Sequence, residues 1–164
     1  MGLSKKIIAT YSDNLVANSD LTRTYLEHAD PHARLAAFLI LRENRKHLPD
    51  FAPLCERLAL EDTNLDIRCC ALTGLGLCYW RTSDIRIGRL LVGFTKDEEQ
   101  PDLFRKLAYF NLFSITGIEG IRICTGFRFP ADVDWKFVES FLQDQRPKGR
   151  SESVGLVEPV PENQ

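Results

Sequence analysis

The chain has 164 residues, 44% of them hydrophobic and 27% charged, a balance that fits one well-buried domain and excludes a mainly disordered chain. A formal net charge of -2 supplies no broad positive field, which argues against whole-surface binding to nucleic acid. No apolar window approaches the length of a membrane-spanning helix.

At the start, MGLSKKIIATYSDN carries only a very short apolar stretch, not the extended core of a secretory signal. Lys6 stands where a myristoylation signal has Ser or Thr, so no leader or lipid anchor is expected. The first predicted helix runs over residues 20–28, with Leu21, Tyr25 and Leu26 turned inward. A second covers 31–44, where Ala33, Ala36, Ala37, Ile40 and Leu41 recur at the spacing of one helical face. Asp30 sits at its N-cap and Pro31 at the first helical position, where a missing N–H costs nothing.

Residues 49–60 form the next amphipathic run, with Phe51, Leu54 and Leu58 inward and Cys55 at the margin of the stripe. The stripe of the following helix is Ile67, Cys70, Ala71, Gly74, Leu75 and Cys78. Its G-x-G has no preceding strand, so it is not a dinucleotide loop, and Gly74 is read as a site of close helix packing. Residues 83–94, N-capped by Ser83, turn Ile87, Leu90, Leu91 and Phe94 inward. After Pro101 come Phe104, Leu107, Ala108, Leu112 and Ile115, with Asn111 in the stripe as a core amide. A last helix over 134–142 presents Phe137, Val138, Phe141 and Leu142. Seven helices and no strand make the class all-α.

Three of these helices share a pattern: Arg34-Ala37-Leu41, Arg68-Ala71-Leu75 and Arg105-Ala108-Leu112. The arginines lie 34 and 37 residues apart, a period at which one repeat is a helix pair that buries its apolar face by stacking on neighbours. The stretch LPDFAPLCERLALEDTNLDIRCCALTGLG, residues 48–76, couples an inward helix, an acidic turn and then Arg, small residues and Leu. In this it resembles the HEAT-repeat and HEAT-like family over roughly residues 20–117. The resemblance implies a short right-handed α-solenoid of antiparallel helix pairs, about three repeats plus a leading helix. One domain would span 1–145, interrupted by an insertion at 118–133 and followed by a flexible Pro-, Gly- and Ser-containing tail over 146–164. It also implies that Arg34, Arg68 and Arg105 clamp successive repeats through turn carboxylates, for which Asp30, Asp62, Asp66, Glu99 and Asp102 stand near. A ladder of arginines tracking an acidic ligand is the other reading.

Partner-binding candidates come from composition. Trp80, Arg81, Arg86 and Arg89 gather aromatics and cations at one turn and on one helix face, as interface anchors do, and Arg57 joins them on the second helices. Arg122, Phe127 and Arg128 in the insertion either grasp a partner, or the insertion folds back to cap the stack with Ile121, Ile123 and Phe127 as apolar plugs. No catalytic residue is assigned, because there is no nucleophile elbow and no Cys–His neighbourhood. His28 and His32 are separated by Asp30-Pro31, so no metal site is expected, and the His-Glu pairs of HEAT-like hydroxylases are missing. Five cysteines, at 55, 69, 70, 78 and 124, contain no C-x-x-C and read as free thiols of a reducing, cytoplasmic compartment.

The expected function is therefore that of a non-enzymatic module binding another protein: an adaptor, an inhibitor or an immunity-type protein, without cofactor. A nucleic-acid-binding protein like the HEAT-like DNA glycosylases is the alternative, and a tetrapyrrole lyase or chaperone of similar repeats is the second.

Overall fold

The computed structural model describes residues 19–43, 45, 50–118 and 127–143. The amino-terminal stretch, residues 119–126 of the insertion with Arg122 and Cys124, and the 146–164 tail lie outside the described residues. Within them the fold is all-α, with seven α-helices and no strand. These are α1 (Ser19–Thr24), followed by a 3-10 turn (Tyr25–Glu27), α2 (Pro31–Glu43), α3 (Phe51–Glu61), α4 (Leu65–Cys78), α5 (Ile85–Lys96), α6 (Asp102–Thr116) and α7 (Trp135–Ser140). No described helix is long and apolar enough to cross a membrane.

The most extensive pairings join α3 to α4 and α5 to α6, the helices linked by the shortest turns. In turn α4 lies against both α2 and α6, so it is covered on several sides. That position explains why α4 buries Ile67, Cys69, Ala71, Leu72, Gly74, Leu75 and Gly76, far more than one stripe. Cys70 is correspondingly only half-buried, against the sequence expectation, while Cys69 is buried. Phe38 and Tyr109, outside the predicted stripes, are also core residues; Phe38 stacks on Phe51 with ring centroids 5.7 Å apart.

Two ends of the predicted stripes are corrected. The face that α1 and the 3-10 turn after it present inward carries Thr22 and Leu26, which leaves Leu21 exposed. Helix α7 stops at Ser140, and Leu142 in the following turn is exposed while Phe141 reaches into the core.

Local chemistry sets the helix starts. Asp30 Oδ1 accepts from the His32 N–H at 2.9 Å. Asn64 Oδ1 accepts from Asp66 and Ile67 N–H groups, and Asp134 Oδ1 from Phe137 N–H, as N-cap side chains do. At α5 the cap is Asp84, whose Oδ1 accepts from Ile87 N–H at 3.0 Å, and not Ser83. Ser83 stands in the left-handed region with φ of 51° and gives its own N–H to the Ile115 carbonyl at 2.8 Å. Its backbone serves another helix, so the cap falls to the next residue.

Gly74 lies where a Cβ would come within 2.5 Å of Cys55 Sγ, so the missing side chain is what lets α3 and α4 close together. Asn111 is buried with its Nδ2 donating to the Leu107 carbonyl at 3.0 Å, and its Oδ1 rests against the bare backbone of Gly76.

Candidate functional site

Each arginine of the repeated pattern reaches in two directions. Arg34 donates from Nη1 to the carbonyls of His28 and Ala29 behind it, and ahead it grips both oxygens of Asp62 at 2.9 and 3.0 Å. Arg68 donates from Nε to the Ala59 carbonyl and from Nη2 to Gln100 Oε1 at 2.7 Å. Arg105 donates from Nε to the Thr95 carbonyl, bonds Asp102 at 3.4 Å, and stacks over the Phe129 ring. One hand thus reaches carbonyls of the preceding segment; the other bonds the turn that follows in Arg34 and Arg68, whereas Arg105 bonds Asp102 of its own helix and meets the following turn only by stacking on Phe129.

The turn partners differ from the carboxylates expected for two of the three. Asp62 serves Arg34, one turn earlier than supposed, and Arg68 takes the amide of Gln100 in place of Asp62 or Asp66. Gln100 is itself oriented by Asp97, to which its Nε2 donates at 3.0 Å. Burial raises the Asp62 carboxyl, but the Arg34 fork and the Asn64 N–H outweigh it and hold the group below the usual carboxylate range.

The segment from Tyr79 to Asp84 forms a second constellation. Arg81 and Ser83 both have positive φ, 59° and 51°, and both spend their N–H groups on the last carbonyls of α6, those of Ser114 and Ile115. Helix α6 itself ends in a left-handed Gly117, and the Arg81 side chain lies over that glycine. The corner is therefore held in one conformation by a neighbouring helix end, where the positive charge of Arg81 also meets the favourable pole of the helix dipole. Trp80 projects from this corner at 55% exposure, with the Arg81 guanidinium 5.9 Å from its ring centre.

Arg86 and Arg89 are exposed on α5, as their spacing predicts. Arg86, however, is occupied: its Nη atoms grip both oxygens of Glu56 at 2.5 and 2.8 Å and also reach the Tyr79 hydroxyl at 3.0 Å. That fork holds Glu56 below the ordinary carboxylate range, despite partial burial. Glu56 was not singled out by sequence, since nothing local pairs it with an arginine 30 residues later.

No protein-family model, curated protein or solved structure matches the chain.

Arg57 sits at the other end of the described residues, bonded to Glu27 at 2.9 Å. That pair separates two open clefts of about 330 and 370 Å³, which share Leu26, Glu27 and Arg57 as walls. Arg23–Asp50 lines the larger cleft, where charge is balanced, and Arg34–Asp62 lines the smaller, where Glu61 leaves one carboxylate in excess.

In the described part of the insertion, Phe127 is half-buried, stacked on Tyr109 at 5.6 Å and close to Phe110, with Lys106 Nζ 5.4 Å from its ring centre. Arg128 is exposed and bonded to Asp132 at 3.3 Å. Arg122 lies outside the described residues. The structure thus gathers Trp80, Arg81, Arg86 and Arg89 around α5 and its leading corner, while Arg57 and the Phe127–Arg128 pair belong to other regions. His28 and His32 each contact Asp30, through its N–H and its carboxylate respectively.

Proposed function

We propose that this chain is a non-enzymatic protein-binding module, an adaptor, inhibitor or immunity-type protein, built as a short right-handed α-solenoid similar to HEAT repeats. The two-handed arginine clamps at Arg34 and Arg68, with the matching backward bond of Arg105, support the repeat reading, as does the side-by-side packing of α4 and α6.

The single observation that carries the binding role is the exposed Trp80. A large aromatic left in water is costly unless something covers it, and here it stands on a corner fixed by hydrogen bonds to α6. A rigid aromatic anchor flanked by arginines loses little entropy on docking, which is the composition and the mechanics of an interface hot spot. The partner is a protein presenting an apolar pocket rimmed by carboxylates, to take the Trp80 ring and the cations of Arg81 and Arg89.

Affinity capture from the native lysate, with mass spectrometry and an absorbance scan of the bound fraction, tests this. A stoichiometric protein partner lost in Trp80→Ala/Arg89→Glu is the expected result. Capture that this folded double variant leaves unchanged, or nucleic acid or pigment in place of protein, overturns it. Arg86 is a poor choice for reversal because Glu at this site would face Glu56.

A further inference from the structure

Trp80 is bracketed by residues tied to different helices. After it, the Arg81 and Ser83 N–H groups bond the end of α6. Before it, Tyr79 ends α4 and gives its N–H to the Leu75 carbonyl at 3.0 Å. The Tyr79 carbonyl accepts twice from Thr82, from the N–H at 3.2 Å and from Oγ1 at 2.9 Å, which closes the turn over Trp80. The direction of the indole therefore follows from how Tyr79 is held. Its hydroxyl donates to Glu56 Oε1 on α3 at 3.3 Å and accepts from Arg86 Nη2 on α5 at 3.0 Å.

Glu56 is the centre of this cluster. Its Oε1 accepts from the Tyr79 hydroxyl and from Arg86 Nη2, and its Oε2 accepts from Arg86 Nη1. Only a carboxylate accepts on both sides in this way; an amide of the same shape would set its NH2 against one of the donors. The Arg86 side chain is 60% exposed, and an ion pair so open to water adds little to stability. What the three bonds contribute is geometry.

We propose that Glu56 is a positioning residue for Trp80, a role that rests on Trp80 being the partner-binding anchor. Joined to the Tyr79 hydroxyl and the Arg86 guanidinium, Glu56 ties the end of α4 to α3 and α5 and so fixes the direction in which the indole leaves the corner. The ring then meets a partner already oriented, and little rotational freedom is lost on docking. Without Glu56 the α6 bonds still hold the far side of the corner, while the Tyr79 side is loosened.

The test records time-resolved fluorescence anisotropy of Trp80 in the folded full-length chain, with Trp135→Phe removing the other tryptophan. Trp80 should tumble with the whole molecule, and Glu56→Gln and Tyr79→Phe should each add a fast local component. Asp50→Asn, which breaks the Arg23 fork at the start of α3, should add none. A decay unchanged in either corner variant, or altered as much in Asp50→Asn, overturns the proposal. In capture, Glu56→Gln should retain about tenfold less partner, the cost of ordering one side chain. Undiminished capture by Glu56→Gln where Trp80→Ala/Arg89→Glu abolishes it overturns the positioning role alone; capture undiminished in both overturns the anchor and that role with it.

Discussion

At the scale of single residues the molecule is organised by arginines that bond backward to carbonyls and forward to a turn. Arg34–Asp62 is the most enclosed of these, with the Asp62 side chain 4% exposed. A carboxylate held below its usual range stabilises the fold at pH values above its unfolded pKa, and that contribution is lost as pH falls through the lower, folded value. Asp62→Asn should therefore cost about 2 kcal/mol near pH 7, the worth of a charge-assisted hydrogen bond. The difference from the parent chain should shrink as pH falls below the ordinary carboxylate range and through the lower folded value, as urea titrations at several pH values will show. Close contact makes the second prediction. Gly74→Ala should cost about 2 kcal/mol by overpacking, but less than about 1 kcal/mol in a Cys55→Ala background, where the obstructing sulfur is gone. Both residue roles were partly legible: Arg34 as a clamp and Gly74 as a close approach follow from type and position. Their partners were not, because Asp62 lies 28 residues beyond Arg34 with nothing local to pair them, and Cys55 looked marginal on its own stripe.

Among elements, the helices themselves were readable from period and caps, and the discrepancies have one physical source. Periodicity locates the most apolar stripe, whereas α2, α4 and α6 each touch neighbours on more than one side, so Phe38, Leu72 and Tyr109 are buried off that stripe. The start of α5 shows the same limit. Ser83 and Asp84 are both good caps by type, and only the demand of α6 for donors at Ser114 and Ile115 decides between them. Asp84→Ala should lower stability by about 1 kcal/mol, while Ser83→Ala should change it by less than about 0.5 kcal/mol; chemical denaturation of the two variants separates the assignments. The exposure of Trp80 was equally hidden, since the turn composition gave the anchor type but not the hydrogen bonds that fix its corner.

For the whole molecule, side-chain bonds between distant residues recur at one range of separation. Arg23–Asp50, Arg34–Asp62, Arg86–Glu56 and Arg68–Gln100 are 27, 28, 30 and 32 residues apart. These separations, a little shorter than the 34 and 37 residues between the repeated arginines, are what the proposed solenoid requires of bonds between successive repeats. The proposal divides labour between arginines that hold the fold together and a corner that presents Trp80. The most direct measurement compares two variants in the same capture experiment at low temperature, each first checked for helical circular dichroism. Arg68→Ala should lower the unfolding midpoint yet retain the partner, and Trp80→Ala/Arg89→Glu should keep the midpoint yet lose it. The reverse pattern, with the partner lost from the folded Arg68 variant and kept by the corner variant, would contradict the account.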